Sequence, residues 1–378
     1  MNDNSPVNRP VISIVMPCLD EERYIGRAIE SLLEGSGGDL EILVVDGGST
    51  DRTREIVHRF ARRGSENTGR IRLLDNSQRQ TSAGLNAGIR EARGAYIVRA
   101  DAHCVYPPGY ARRCVELLET TGAANAGGIQ VPIAEESEGE RGGIVQEAIA
   151  LAMRHPLGAG NARWRLGLRS GFVDTVYLGA FRRDLFDAVG FYDTEAITNQ
   201  DAELNLRIST AGMKVYLDHT IEVLHYPRRT LHELARQYVL YGRGRAYTAL
   251  KHRRLTSWRQ AAPPLLLAGL TGSASTACWM PGLLLVPAAY AAALATVALA
   301  ARFPENRGVQ AEECGLKTKQ PAPGGGGARG GTRIGARIRL LVAAAWAVMH
   351  LCWGAGFIWR MIAGKRPARK FKRSGGAL

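Results

Sequence analysis

The chain has 378 residues, 22% of them charged, and a formal net charge of +14. Residues 302–378 carry +12 of that charge and the first 301 residues only +2, which argues against a nucleic-acid partner and for a basic flank beside a membrane anchor. Cys18, Cys104, Cys114, Cys278, Cys314 and Cys352 form no CxxC pair, so neither a disulfide framework nor a zinc module is expected.

The opening "MNDNSPVNRP" (1–10) is a polar tail without the apolar core of a cleavable signal peptide. "VISIVMP" (11–17) then reads as a strand and "EERYIGRAIESLLEG" (21–35) as an amphipathic helix. "LEILVVDGGSTD" (40–51) is a buried strand entering a turn, "DRTREIVHRFARRG" (51–64) a helix, and "IRLLDN" (71–76) a third strand. "TSAGLNAGIREARG" (81–94) is a third helix and "AYIVRADA" (95–102) a fourth strand. This alternation, with nearly continuous apolar strands, predicts a mostly parallel sheet covered by helices on both faces. Ligands of such sheets bind beyond the carboxyl ends of the strands. Three polar clusters fall there: "PCLDEE", "DGGSTD" and "RADAHC".

Residues 127–230 are less regular. "YLGAFRRDLFDAVGFYDTE" (177–195) reads as a loop, a short helix and a turn, "NQDAELNLRISTAG" (199–212) as a helix, and "MKVYLDHTIEVLHY" (213–226) as two short strands. "TLHELARQYVLYGRGRAYTAL" (230–250) is an amphipathic helix. Leu265 to Ala301 is an uncharged run of 37 residues. As one helix it would reach roughly 55 Å, nearly twice a hydrocarbon core of about 30 Å. Met280-Pro281-Gly282 is a natural break in it. A Gly-rich basic linker follows, then a second uncharged run, Leu340–Trp359, and a tail with seven Lys/Arg between Arg360 and Arg373. The positive-inside rule puts that tail in the cytosol with the first half of the chain. Two crossings satisfy this, with three apolar pieces as the alternative. The expected division is therefore 11–250 for the α/β domain, 251–301 for membrane segments, 302–339 for the linker, 340–362 for a transmembrane helix and 363–378 for the basic tail. The expected location is the inner (cytoplasmic) membrane, multi-pass, with the α/β domain cytosolic.

The chain has no G-x-G-x-x-G after the first strand and no G-x-x-x-x-G-K-[ST], which removes the main support for dinucleotide oxidoreductases and P-loop enzymes. Instead Asp20, Glu21, Glu22, Asp46 and Asp51 crowd the first two strand ends. Acids there suit a base and a ribose, with a cation meeting the pyrophosphate. Asp101-Ala102-His103 places two metal-ligating side chains two positions apart, on one side of an extended chain. Alone, that tripeptide is equally an ordinary polar turn.

In order, "ISIVMPCLDEERYIGRAIESLL", "EILVVDGGSTDRT" and "NAGIREARGAYIVRADAH" resemble the inverting family 2 glycosyltransferases of GT-A fold. "RADAH…Y", "NQDAELNLRI" and "YPRRTLHELARQYVLYGRGR" resemble the subgroup of succinoglycan-type exopolysaccharide assembly. The resemblance spans about residues 11–250. It implies a nucleotide pocket lined by Pro17, Leu19 and Glu21, with Asp46 on the uracil of a UDP-sugar. It also implies a divalent cation, Mn²⁺ or Mg²⁺, at Asp101 and His103, where the family usually has Asp-x-Asp. Imidazole suits Mn²⁺ better than Mg²⁺. Asp201 is implied as the base that deprotonates the acceptor hydroxyl, with Gln200 standing where the family has Glu.

Each residue also has a plainer role. Asp51 suits a helix cap, Asp46 a strand-end turn, and Glu203 a pair with Arg207. Arg99 would contact phosphate or form a buried ion pair. Gly179 and Ala180 would wall the acceptor side or simply pack a turn. Arg243 and Arg245, on the same helix as Gln237, would meet diphosphate or lipid headgroups, or form a solvated basic face. His219 reads as an ordinary strand histidine; His225 is kept as a third ligand candidate. "QYVLYG" lacks the Gln-x-x-Arg-Trp of the processive synthases, which argues against a polymer-extruding synthase.

The resemblance thus implies a sugar transfer from a nucleotide-diphosphate donor to a polyprenyl-diphosphate-linked saccharide at a membrane. A polysaccharide-assembly complex is left open as a further partner. The alternatives are a polyprenyl-phosphate sugar synthase and a non-catalytic nucleotide-sugar-binding membrane subunit.

Overall fold

The structure is a computed structural model that describes residues 11–36, 39–63, 70–135, 141–160, 162–167, 169–255, 258–303 and 334–364. The polar N-terminal tail, most of the Gly-rich linker and nearly all of the basic C-terminal tail lie outside these residues. The chain forms two compact units, one of Met1–Val131 with Gly167–His225 and one of Pro132–Leu166 with Tyr226–Pro367.

The first unit is built on one sheet. Strands β1 (Ile12–Cys18), β2 (Leu40–Asp46), β3 (Arg70–Asp75) and β4 (Tyr96–Arg99) are parallel, in the order β3-β2-β1-β4. The intervening segments form α1 (Ile25–Leu33), α2 (Thr53–Arg63) and α3 (Thr81–Glu91). Alternation along β1 explains the layering. Ile14 and Met16 face a core shared with Ile25, Ala28 and Ile29 of α1. Val15 faces α3, where a Cβ on Gly88 would come within 2.4 Å of its Cγ1; only glycine lets that helix seat so closely. Register sets Cys18 opposite Asp46 and Asp46 opposite Asp75.

Beyond β4 the sheet turns antiparallel, so it is mixed. Strand β5 is Cys104–Val105, and α4 (Tyr110–Thr121) leads to β6 (Asn125–Pro132). Three more strands follow: β7 (Gly171–Val173), β8 (Tyr177–Arg182) and β9 (Val215–His225). They continue the order as β4-β8-β6-β9-β5, with β7 on β9. Two sequence expectations change here. The segment 177–182 is strand, not loop; it carries Gly179 at φ +110°, tight against Asn125, and that glycine hides the strand from pattern reading. The segment 213–226 forms one strand rather than two, because its start pairs with β7 and its end with β5. The polar middle at Asp218 and His219 is tied down by the Ser170 hydroxyl. A short helix, α8 (Leu185–Val189), and α9 (Gln200–Thr210) complete the unit; Glu203 of α9 pairs with Arg207 at 2.9 Å, as its spacing suggests.

The second unit is helical. The short stretch α5 (Arg141–Arg154), α6 (Pro156–Ala159) and α7 (Arg163–Leu166) joins four later helices: α10 (Leu231–His252), α11 (Ala262–Thr276), α12 (Leu285–Ala300) and α13 (Ala336–Ala363). A 3₁₀ turn, Pro281–Leu284, separates α11 from α12 at the expected break. Thr230 and Glu233 close a capping box at the start of α10. Ile149, Leu234, Leu294, Trp346 and Met349 share one core, and the Trp346 indole donates to the Ala152 carbonyl at 3.1 Å. Arg339 Nη1 donates to the carbonyls of Ala298, Leu299 and Ala301 at 2.8–2.9 Å, satisfying the open end of α12. Pro281–Ala300 and Ala336–Ala363 are each long and apolar enough to cross a membrane.

Candidate active site

The turn after β4 is shaped by one tyrosine. Tyr106 is fully buried; its hydroxyl accepts from the Asp101 amide at 2.7 Å and donates to the Asp101 carbonyl at 2.9 Å. That double bond fixes residues 101–106 as a tight loop. His103 stands on the loop with Nδ1 3.0 Å from Glu21 Oε1. Pairing of Cys104 with His225 brings the buried His225 ring to 5.1 Å from that of His103. Glu21, expected in a nucleotide pocket, is thus placed on His103, and His225 lies beside the loop. His219 lies apart, at Ser170.

Arg99 ends β4 and is 5% exposed. Its guanidinium bonds to Asp101 at 3.0 Å and to Asp201. The two carboxylates singled out from opposite halves of the α/β region are therefore joined through one cation. Burying an arginine is tolerable only when its charge is paired, and here two acids do so. The buried ion pair, one of the two sequence readings of Arg99, is formed. Asp201 sits in the first turn of α9, behind an Asn199 in the left-handed region at φ 60°. The loop before it is held from α3: Asn86 exchanges bonds of 2.8 and 2.9 Å with the Tyr192 backbone, and the Ser82 hydroxyl donates to the Ala196 carbonyl. Tyr192, also buried, stands beside the Arg99–Asp201 pair. Burial raises the Asp201 carboxyl to about 6, against the opposing pull of Arg99.

At the end of β2, Asp46 is fully buried. It accepts from the Gly48 and Ser49 amides, the Ser49 hydroxyl and Arg54 Nη1 at 2.8 Å. Burial pushes its carboxyl up, but these donors outweigh that and hold it below the usual range. Arg54 also pairs with Asp75 at 2.7 Å. The neighbouring acids stitch two loops together. Thr50 donates its amide to Asp20, Glu22 to Asp51, and Arg52 to Glu22. Asp51 also accepts from the Thr53 amide at 2.9 Å, a turn contact just ahead of α2 rather than a bond from the N-cap position. Pro17 pairs with Val45, with Leu19 against the following turn. Gly179 packs on Asn125, and Arg243 lies in the helical unit.

The chemistry of the donor set bears on a cation. Among the described residues, no group of three or more His, Cys, Asp or Glu side chains could hold a metal. A cation that bridges a diphosphate takes most of its ligands from phosphate and water and only one or two from side chains. Asp101 and His103, on one short loop, would be donors of that kind, and the Glu21 carboxylate on His103 Nδ1 would orient the imidazole. Tyr106 was visible in the sequence only as the last letter of "RADAH…Y". Tyr192 carried no sequence signal and Asn86 was visible only as the first letter of "NAGIREARGAYIVRADAH", because their roles depend on a contact between segments 106 residues apart.

Residues 13–190 match the profile of "Glycosyl transferase family 2". The chain is 35% identical over 355 residues to the succinoglycan biosynthesis protein ExoA of Rhizobium meliloti (strain 1021), covering 92% of this chain and 93% of that one. It is 27% identical over 239 residues to a dolichyl N-acetyl-α-D-glucosaminyl phosphate 3-β-D-2,3-diacetamido-2,3-dideoxy-β-D-glucuronosyltransferase of Methanococcus voltae, covering 61% of this chain and 71% of that one. In fold it is similar to a mannosyltransferase of Pyrobaculum calidifontis solved with GDP-Man and Mn²⁺, at 18% identity and a TM-score of 0.51, covering 94% of this chain and 88% of that one. With a relative aligned along nearly the whole of both chains and a mixed sheet of GT-A type, the chain belongs to the family 2 glycosyltransferases, in their succinoglycan-type group.

Proposed function

We propose that the protein is a membrane-anchored inverting glycosyltransferase of exopolysaccharide assembly. It moves one sugar from a nucleotide-diphosphate donor, a UDP-sugar, to a hydroxyl of a polyprenyl-diphosphate-linked saccharide. The observation that carries this reading is the Arg99 bridge, which joins Asp201 to the Asp101 loop. Names of relatives support it too, one in succinoglycan biosynthesis and one acting on a dolichyl-linked sugar.

In this reading Asp201 accepts the proton of the acceptor hydroxyl as that oxygen attacks the anomeric carbon. The bond from that carbon to the diphosphate oxygen breaks, its electron pair leaves with the nucleotide, and configuration inverts. With one Asp201 oxygen held by Arg99, the carboxylate has a fixed orientation. Its raised proton affinity makes it a better base while leaving it ionised at neutral pH. Asp101 and His103 would hold a divalent cation, which offsets the charge of the leaving diphosphate. The Asp46 region receives the nucleoside, with Asp46 itself shaping the turn. The two apolar helices anchor the enzyme on the surface that carries its acceptor, as a multi-pass protein of the inner membrane with the α/β unit in the cytosol.

Asp201→Asn tests the base. Transfer by the detergent-solubilised protein should fall roughly a hundredfold to ten-thousandfold, with donor affinity unchanged. Intact transfer would remove Asp201 from this role. Binding of UDP without turnover in the wild type, across UDP- and GDP-sugars and with Mn²⁺ or Mg²⁺, would point to the non-catalytic alternative.

A further inference from the structure

Helix α9, which carries Asp201, is tied to the sheet by a pair of buried amides. Asn205 lies four residues after Asp201, one turn along α9 and on the same face. Its Oδ1 accepts from Asn125 Nδ2 of β6 at 2.7 Å. Its Nδ2 donates to the Thr175 hydroxyl, between β7 and β8, at 2.9 Å. Asn125 is 0% exposed and Asn205 1%. Asn125 is also walled in by β8, since a Cβ on Gly179 would lie 2.3 Å from its Oδ1. Strand β8 pairs in turn with β4, where Ala180 sits opposite Val98, the residue before Arg99. One part of the sheet therefore carries both the cation that meets Asp201 and the amide that holds α9 one turn further on.

Two features separate this pair from ordinary packing. The inward neighbours on α9, Leu204 and Ile208, are apolar, and burial of apolar surface is non-directional. Such contacts hold the helix on the sheet without fixing where along it the helix stops. A short amide–amide hydrogen bond does fix that. Arg207 ties α9 elsewhere, to the carbonyls of Val189, Gly190 and Phe191, which belong to a loop. The second feature is energetic. Asn125 Oδ1 is buried without a hydrogen-bond partner, and two apolar side chains of the same shape would leave no polar atom unmet. Stability alone does not call for asparagines here.

We propose that Asn205, held by Asn125, is a positioning residue for sugar transfer: it sets the height of α9 on the sheet so that the Asp201 carboxylate meets both Arg99 and the acceptor hydroxyl. Asn205 is too buried to touch substrate and acts through Asp201, so the proposal rests on the reading of Asp201 as the base.

The test uses the full chain in detergent. Turnover is read as UDP release from a panel of UDP-hexoses with a polyprenyl-diphosphate-linked saccharide present, and UDP affinity and melting temperature are measured alongside. Asn205→Leu and Asn125→Leu each leave one amide facing a leucine, so each should melt below the wild type. The double Leu variant, with both amides replaced by side chains of similar shape, should melt closer to the wild type than either single variant. Turnover should not follow stability. Misplacing a reacting group by an ångström can cost two orders of magnitude, so kcat should fall roughly ten- to hundredfold in both single variants. It should stay as low in the double variant, because all three changes break the same bond. Donor KM and UDP affinity should hold within about twofold, as for an interaction felt only in the transition state. A double variant that regains its rate together with its stability would overturn the proposal by making the pair structural, as would wild-type kcat in both single variants. Thr175→Val removes the outer bond at a half-buried position, with little risk to folding, and should lower kcat several-fold at unchanged KM. Wild-type kcat there, combined with a double variant that does not fold, would also overturn the proposal. Asp201→Asn keeps the two readings apart. Wild-type turnover in it removes the base and this inference together, whereas lost turnover there beside a fully active double Leu variant removes this inference alone.

Discussion

Arg99 shows how a residue's meaning depends on what the fold places across from it. In sequence it precedes a candidate metal motif and suits a phosphate contact as well as an ion pair. In the structure its guanidinium is enclosed by Asp101 and Asp201. Arg99→Met would leave two acids facing each other without their cation, a loss of about 3–5 kcal/mol for a broken buried pair. We expect transfer to fall at least a hundredfold with donor affinity nearly unchanged, and Arg99→Lys to restore part of the rate. A parallel loss of UDP affinity would instead make Arg99 a donor contact. The pH profile follows from Asp201. Its carboxyl is raised to about 6 by burial, and a base works only when deprotonated. The rate should therefore fall tenfold per pH unit below that value and be level above it. In Arg99→Met the falling limb should move to higher pH, because the remaining environment, burial and Asp101, favours the neutral acid. Asp201 and Asp101 were legible in the sequence through their motifs; their shared cation was not, since no local pattern records a contact across 102 residues.

At the scale of elements, the first four strands and three helices were legible because each is a short, strongly periodic segment with its own turn. Legibility ends at β8 and β9. Their partners are antiparallel and distant, and Gly179 and the Asp218–His219 pair look like breaks when read locally. The α10–α13 contact was also hidden. It depends on Gly242 and Gly356, which carry no pattern of their own and matter only because a carbonyl lies against each. Gly242→Ala should cost about 1–3 kcal/mol by overpacking, toward the upper end because the obstruction is backbone. Thermal unfolding in detergent should show it, while an exposed glycine such as Gly269, with open space around it, should tolerate alanine.

For the whole molecule, a single cut near residue 250 does not separate the two compact units, because 132–166 belongs with the later helices. Residues 141–154 read poorly in isolation for that reason: their apolar face is completed by α13, more than 180 residues later in the chain. A chain truncated after residue 250 would keep Ile149, Leu151 and Met153 but lose the helices that cover them. Each such side chain contributes roughly 1.5–3 kcal/mol when buried. The truncated protein should therefore aggregate or bind a hydrophobic dye, whereas the full chain in detergent should not. A monomeric, dye-silent truncation would show that this stretch stands without its helical partners.

The Arg339 clamp has a consequence for engineering. Because one guanidinium grips the carbonyls at Ala298, Leu299 and Ala301, the point where the chain leaves α12 and the point where it enters α13 are the same place. The two ends of the connection between them are thus held together. Lengthening a flexible connection whose ends are already tied costs only about 0.6 kcal/mol per doubling. A fluorescent reporter or affinity handle spliced between residues 304 and 333 should therefore leave activity intact, and a protease cut there should yield two fragments that migrate together until denatured.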